Sequence, residues 1–251
     1  MVRICRTIAG ESMKRIMMTT AALAVSMTAW AQEPEAPAKP WSAELGLGIV
    51  ITDGNSDTSS VNGSGEIVYQ RSQWRHSARA EAFRSSTEGE KTAERYTITG
   101  KSDYHLDDRN YVFGLLGYED DRFSGYDYQG TASVGYGRDV LRGDRVNAFL
   151  EAGVGARHYR VTDAEDSDTE GTIRLAGGLE WKISETATFT QEADTTIGEE
   201  VTVTNSITSL SSQVVGNLAA KFSLHIRHIS DVPPDTEKRD TKFTANLVYS
   251  F

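Results

Sequence analysis

The stretch "TIRLAGGLEWKIS", residues Thr172–Ser184, alternates two kinds of side chain. Ile173, Leu175, Gly177, Leu179, Trp181 and Ile183 share one parity, and Arg174, Ala176, Gly178, Glu180 and Lys182 share the other. Period two marks an extended strand with one apolar and one polar face. The stretch is far longer than the five or six residues usual in a soluble sheet. It is long enough to cross a bilayer at a tilt, which takes about 9–11 residues.

The same design recurs on both sides of this stretch. In Leu218–Ile229, Leu218, Ala220, Phe222, Leu224 and Ile226 oppose Lys221, Ser223, His225 and Arg227. In Val146–Arg157, Val146, Ala148, Leu150, Ala152, Val154 and Ala156 oppose Asn147, Glu151 and Arg157. Tyr96, Ile98, Gly100, Tyr104 and Leu106 oppose Arg95, Thr97, Thr99, Lys101, Asp103 and His105, and Val61, Gly63, Gly65, Ile67 and Tyr69 oppose Asn62, Ser64, Glu66 and Gln70. Tyr126, Tyr128, Ala132, Val134 and Tyr136 read as apolar against Asp127, Gln129, Thr131 and Ser133. The last stretch, "KFTANLVYSF", sets Phe243, Ala245, Leu247, Tyr249 and Phe251 against Lys242, Thr244, Asn246 and Ser250. Segments 186–198 and 201–216 suit strands, but their many Thr and Ser residues define no face.

Turn signals divide the chain after Trp41 into about twelve strands, an even number as in single-chain bacterial barrels. The reading is therefore all-β: an antiparallel, up-and-down transmembrane β-barrel over residues 41–251, its apolar faces toward lipid and its polar faces inward. The connections alternate in character. Asp53–Thr58, Ser86–Lys91, Glu119–Asp127, Thr162–Gly171, Gly198–Glu200 and Ser230–Asp240 are mostly longer and acidic. Gln70–Gln73, Leu106–Asn110, Leu141–Arg145, Ser184–Ala187 and Gly216–Asn217 are short. Long external loops and tight periplasmic turns give that asymmetry and place both termini in the periplasm. A secreted soluble β-protein, with the apolar faces packed together inside, is the structural alternative.

The start of the chain reads as an export signal. Lys14 and Arg15 precede an apolar run from Ile16 to about Met27, and "AWA" ends at Ala31 with a small-x-small cleavage pattern. Residues 1–31 are expected to be removed, with Met13 as a possible true start. Residues 32–40, "QEPEAPAKP", form a proline-rich linker. The one cysteine, Cys5, goes with the signal, so no disulfide framework is expected. The whole chain carries a net charge of -10. Removing Arg3, Arg6, Glu11, Lys14 and Arg15 makes it more acidic still, which argues against nucleic acid as a partner.

Three quoted stretches carry a family resemblance: "DGNSDTSSVNGSGEI" (Asp53–Ile67), "YDYQGTASVGYGRDV" (Tyr126–Val140) and "LVYSF" (Leu247–Phe251). From about Trp41 to Phe251 the chain resembles the YdiY-like salt-induced outer-membrane proteins, a family of unknown function. The resemblance implies an outer-membrane barrel, a link to salt stress and no catalytic residues. The terminal aromatics Tyr249 and Phe251 resemble the signal read by the barrel assembly machinery, which with outer-membrane lipid and lipopolysaccharide makes up the expected partners.

The expected lumen lining is Glu66, Arg75, Arg79, Glu81, Lys101, Asp103, Glu151, Arg157, Arg174, Glu180, Lys182, Lys221, His225 and Arg227. Mixed signs predict an interior spanned by ion pairs, either a narrow pore or a plugged, envelope-stabilising barrel. Eight strands leave a filled interior and sixteen an open channel, so about twelve lies between. Asp163, Glu165, Asp166, Asp168 and Glu170 make an acidic loop without EF-hand spacing. It reads as solvated, with Asp163, Asp166 and Asp168 the candidate ligands should a cation bind. No cofactor is expected, because no phosphate cradle precedes a helix and no Cys/His zinc spacing occurs. The enzyme alternative is a lipid hydrolase with a Ser–His pair on the outer wall. His76, His158 and His228 lie on apolar parities, but no motif marks a nucleophile.

Overall fold

The computed structural model describes residues 39–52, 58–122, 125–162, 165–232 and 237–251. The expected signal, most of the linker, the 53–57 turn and Asp163 lie outside the described residues. Twelve strands are present: β1 Trp41–Thr52, β2 Thr58–Arg71, β3 Trp74–Thr87, β4 Glu90–His105, β5 Asn110–Asp121 and β6 Tyr126–Arg142, then β7 Val146–Val161, β8 Asp168–Lys182, β9 Ala187–Ile197, β10 Thr202–Val215, β11 Leu218–Ile229 and β12 Arg239–Ser250. Each pairs antiparallel with its neighbour in sequence, and β1 pairs with β12, so the sheet closes on itself. Closure lets a ring of strands satisfy its backbone groups without a helix.

The barrel is inside-out relative to a soluble domain. Leu47 is 71% exposed, Leu116 67% and Phe243 65%, while Glu151 is 4% and Arg157 3% exposed. These values exclude the soluble alternative, in which the same leucines and phenylalanines would be buried. The only apolar cluster among the described buried residues is Val201, Val203 and Ile229, with Val232 against it. Exposed aromatics ring the end of the barrel where β1 begins and β12 ends, including Trp41, Tyr69, Trp74, Trp181, Tyr249 and Phe251. Tyr96, Tyr118, Tyr128, His158 and His228 face out toward the other end. Two aromatic belts around an aliphatic band are what bilayer interfaces select.

The structure departs from the alternation in three places. First, Ser86–Lys91 is not a loop. β3 and β4 run on until only Glu88–Gly89 connect them, at φ 52° and 82°. Second, a register shift between Tyr126 and Tyr128 against β7 turns Tyr126 inward. There it is buried, with its ring edge-on to Tyr159 at 5.6 Å. The displaced Asp127 instead accepts a hydrogen bond from Arg160 Nε at 2.8 Å. The placement of Tyr126 on the apolar face is thus corrected: one extra residue in a strand inverts everything beyond it. Third, β9 and β10 gain definite faces from their neighbours. Glu192 and Asp194 point inward opposite Ile207 and Asn205, and Gln191 and Thr208 point outward.

Candidate functional site

The inward face is a network of ion pairs built in layers. Glu151 of β7 is the hub of one layer. Its Oε1 accepts from Lys101 Nζ at 2.5 Å and from Tyr111 Oη at 2.8 Å, and its Oε2 accepts from Arg174 Nη1 at 2.9 Å. Lys101 also reaches Asp103 at 2.9 Å, and its ammonium sits 5.2 Å from the ring centres of both Tyr111 and Phe113. Tyr111 crosses from β5 to β7 over Gly137, whose Cα hydrogen faces the Tyr111 ring, so any Cβ there would clash with the ring. That close approach is the reason a glycine stands at 137.

Two pairs close whole diameters. Arg79 of β3 binds Glu66 of β2 at 2.9 Å and, with its other terminal nitrogen, Glu192 of β9 at 3.4 Å. β3 and β9 stand six strands apart in either direction round the ring. Arg227 of β11 likewise meets Glu119 of β5 at 2.5 Å, again six strands away. Toward the loop end Arg95 of β4 contacts Asp121 of β5 and Asp240 of β12, and Arg157 pairs with Glu170, both buried.

These struts divide the interior. A larger chamber of about 440 Å³ is lined by Arg75, Arg79, Lys101, Asp103, Glu151, Arg157, Arg174 and Arg227. A smaller one of about 90 Å³, beside the β1–β12 seam, holds Glu81, Lys221, His225 and Lys242. Glu66, Arg79 and Glu192 line both, so this strut is the partition. Glu180 and Lys182 line neither: Glu180 accepts from Asn147 at 3.5 Å near the terminus-side rim, and Lys182 is exposed there.

Sequence reasoning did not assign Glu119, Glu192, Asp194, Tyr111 or Lys242 to the lumen. Lys242 carried a signal, since it lies on the polar parity of the closing strand. Glu192 and Asp194 carried none in a strand without a face of its own.

Outside the lumen, no group of acidic, His or Cys side chains among the described residues could hold a metal. Glu165, Asp166 and Asp168 are exposed, while Glu170 turns in to Arg157. On the outer wall His76 Nδ1 and Ser102 Oγ are 2.9 Å apart. His76 also stacks on Trp74 at 5.4 Å, and no third group orients its other nitrogen among the described residues. The pair belongs to the aromatic belt. In the β4–β5 turn, Asp107 accepts from the Asn110 side chain and from the backbone N–H groups of Arg109 and Asn110. Those bonds hold its carboxyl below the usual range, the Asn110 side chain contributing most.

Residues 45–251 match the family described as "Protein of unknown function, DUF481". The chain belongs to that family. The uncharacterized protein YdiY of Escherichia coli (strain K12) is 28% identical over 219 residues, which cover 87% of this chain and 86% of that protein. Among solved structures, the COG4313 outer membrane channel from Pseudomonas putida F1 superposes with a TM-score of 0.50 at 11% identity, covering 86% of this chain and 97% of that one. A NanC porin superposes with a TM-score of 0.46 at 12% identity, covering 84% and 97%. The closed twelve-strand ring, with the match to the COG4313 channel, gives this DUF481 chain the fold of outer-membrane β-barrels.

Proposed function

We infer that this DUF481 protein is a narrow channel of the outer membrane for small solutes, held shut at rest by ion pairs that cross its lumen. The observation that carries this reading is the Glu66–Arg79–Glu192 strut. It joins opposite walls and separates two chambers that would otherwise be continuous. A barrel built only to stiffen the envelope needs no chamber of about 440 Å³. The mixed signs of the lining oppose free passage of either ion sign and favour solutes small enough to pass a rearranged strut. The longest connections, residues 162–167 and 230–238, lie at the end opposite Trp41 and Phe251, which supports a periplasmic location for both termini.

Planar-bilayer recording of the refolded protein tests the proposal. Wild-type protein is expected to show small, infrequent conductance steps. Arg79→Ala removes both arms of the strut and is expected to raise the unitary conductance. Arg227→Ala is expected to do the same to a lesser degree, because it opens one layer and leaves the partition. Silence from all three proteins, or identical steps, would overturn the channel and favour a purely structural barrel.

A further inference from the structure

The smaller chamber has a composition that the strut does not explain. On its β11–β12 wall three bases face inward with no carboxylate within ion-pair distance among the described residues. They are Lys221, His225 and Lys242, all half-buried. His225 and Lys242 stand directly opposite each other in the ladder. Two bases in that register repel unless something negative lies between them. Ser223 and Thr244 form the next inward-facing pair along the ladder, both 5% exposed, and Lys221 opposes Asn246 in the inward pair after that. Asn246 accepts a hydrogen bond from Asn62 at 2.7 Å through its oxygen, which leaves its own N–H groups to donate. The wall therefore presents two ammonium groups, an imidazole and an amide over two adjacent strands, with the buried hydroxyls of Thr244 and of Ser223, itself bonded to Ser209 at 2.9 Å, beneath them.

The acids of the chamber do not meet this demand. Glu66 and Glu192 are held by Arg79. Glu44 meets Ser250 at 3.5 Å and pairs with no base among the described residues. Glu81 lines the chamber and makes no ion pair with a base among the described residues. Lys242 rests over the Phe83 ring at 4.9 Å rather than on a carboxylate.

We propose that this chamber is an oxyanion site that takes a phosphate group, bound by Lys221, His225 and Lys242 with the hydroxyls between them. Charge-assisted bonds from several converging donors are what tetrahedral oxyanions select. The phosphate has two possible sources. Free phosphate reaches the chamber along the lumen. A phospholipid headgroup would reach it from the side, because the β1–β12 ladder beside the chamber has the four partners Glu44–Leu47 and, among the described residues, no ladder pair on β12 beyond them. Binding does not require that the barrel conduct, so the site stands or falls apart from the channel.

The test is calorimetric titration of the refolded barrel in phosphate-free maltoside micelles, at low ionic strength, with two probes: sodium phosphate and dihexanoyl phosphatidic acid. The K221Q/K242Q double variant is expected to weaken binding at least about tenfold. Glu81→Gln, which removes a competing negative charge, is expected to tighten it severalfold. Lys182→Gln, outside the chamber, is expected to change nothing. Retention of the faster migration of unheated barrel on denaturing gels shows that each variant is folded. Lysine-dependent binding of phosphate identifies a lumen-fed site, and lysine-dependent binding of phosphatidic acid alone identifies a lipid-fed one. The absence of binding by either probe, or equal affinity in the double variant, overturns the site.

Discussion

Arg157 and Glu170 show what a single pair of charges costs and contributes inside this barrel. Both are buried. Arg157 also reaches the Val201 carbonyl at 3.4 Å and lies over the Tyr159 ring at 5.2 Å. Glu170 also accepts from the Glu200 backbone N–H at 3.2 Å. Removing one partner leaves a buried charge uncompensated, which costs about 3–5 kcal/mol, whereas replacing both by apolar groups of similar size is often neutral. Glu170→Gln is therefore expected to lose roughly 3–5 kcal/mol in denaturant unfolding of the refolded protein. Arg157→Met combined with Glu170→Leu is expected to recover most of that loss. If the single variant unfolds within about 1 kcal/mol of wild type, water reaches the pair and the burial argument fails. The pair's members were legible as polar-parity residues. Their partnership was not, because it depends on which strands neighbour each other and at what register.

Among the elements, the β3–β4 hairpin carries the clearest local conflict between sequence and backbone. Its two connecting residues, Glu88 and Gly89, both have positive φ, as a two-residue type I′ turn requires. Gly89 adopts that conformation freely. Glu88 does not, since a left-handed backbone costs an ordinary residue about 1–2 kcal/mol and asparagine less. Glu88→Asn is expected to stabilise the barrel by roughly 0.5–1 kcal/mol in denaturant unfolding, with the folded spectrum unchanged. A destabilised variant would mean that the glutamate side chain makes a compensating contact. Most strands were legible because lipid outside and charge inside impose a strict period of two. The exceptions have physical causes. The β6 bulge inverts Tyr126 without any change in composition. In β9 and β10 the outer face is itself polar, with Gln191 Nε2 donating to Ser206 at 3.0 Å and accepting through Oε1 from Thr208 at 2.5 Å. Side chains that satisfy one another can face outward without an apolar label.

At the scale of the whole molecule, closure is the step that no single strand encodes. The diametral pairs Arg79–Glu192 and Arg227–Glu119 exist only once the twelfth strand meets the first, so sequence reading could predict charges in a lumen but not their geometry. That meeting is also the weakest part of the ring. β1 and β12 share four ladder partners, Glu44–Ser250 through Leu47–Leu247, whereas β6 and β7 are paired from Tyr126 to Arg142. Beyond Leu47 the two strands run on, with Asn62 reaching over Gly48 to Asn246 in place of a ladder. A backbone group left without a partner in hydrocarbon is costly, so this half of the seam is where the ring opens first. Hydrogen exchange of the protein in lipid vesicles, read by mass spectrometry, is expected to show peptides from Arg239–Thr244 exchanging faster than those from Ala148–Ala156. Both segments lie within strands, so loop mobility does not account for a difference. A covalent bond across the paired end, from Leu47→Cys with Leu247→Cys, is expected to slow exchange along the whole of β12 if opening starts at the seam and spreads. Equal protection in β7 and β12, with or without that bond, would mean that the seam is as tight as the rest of the ring. The lateral route to the smaller chamber would then be closed, leaving the lumen as its only approach.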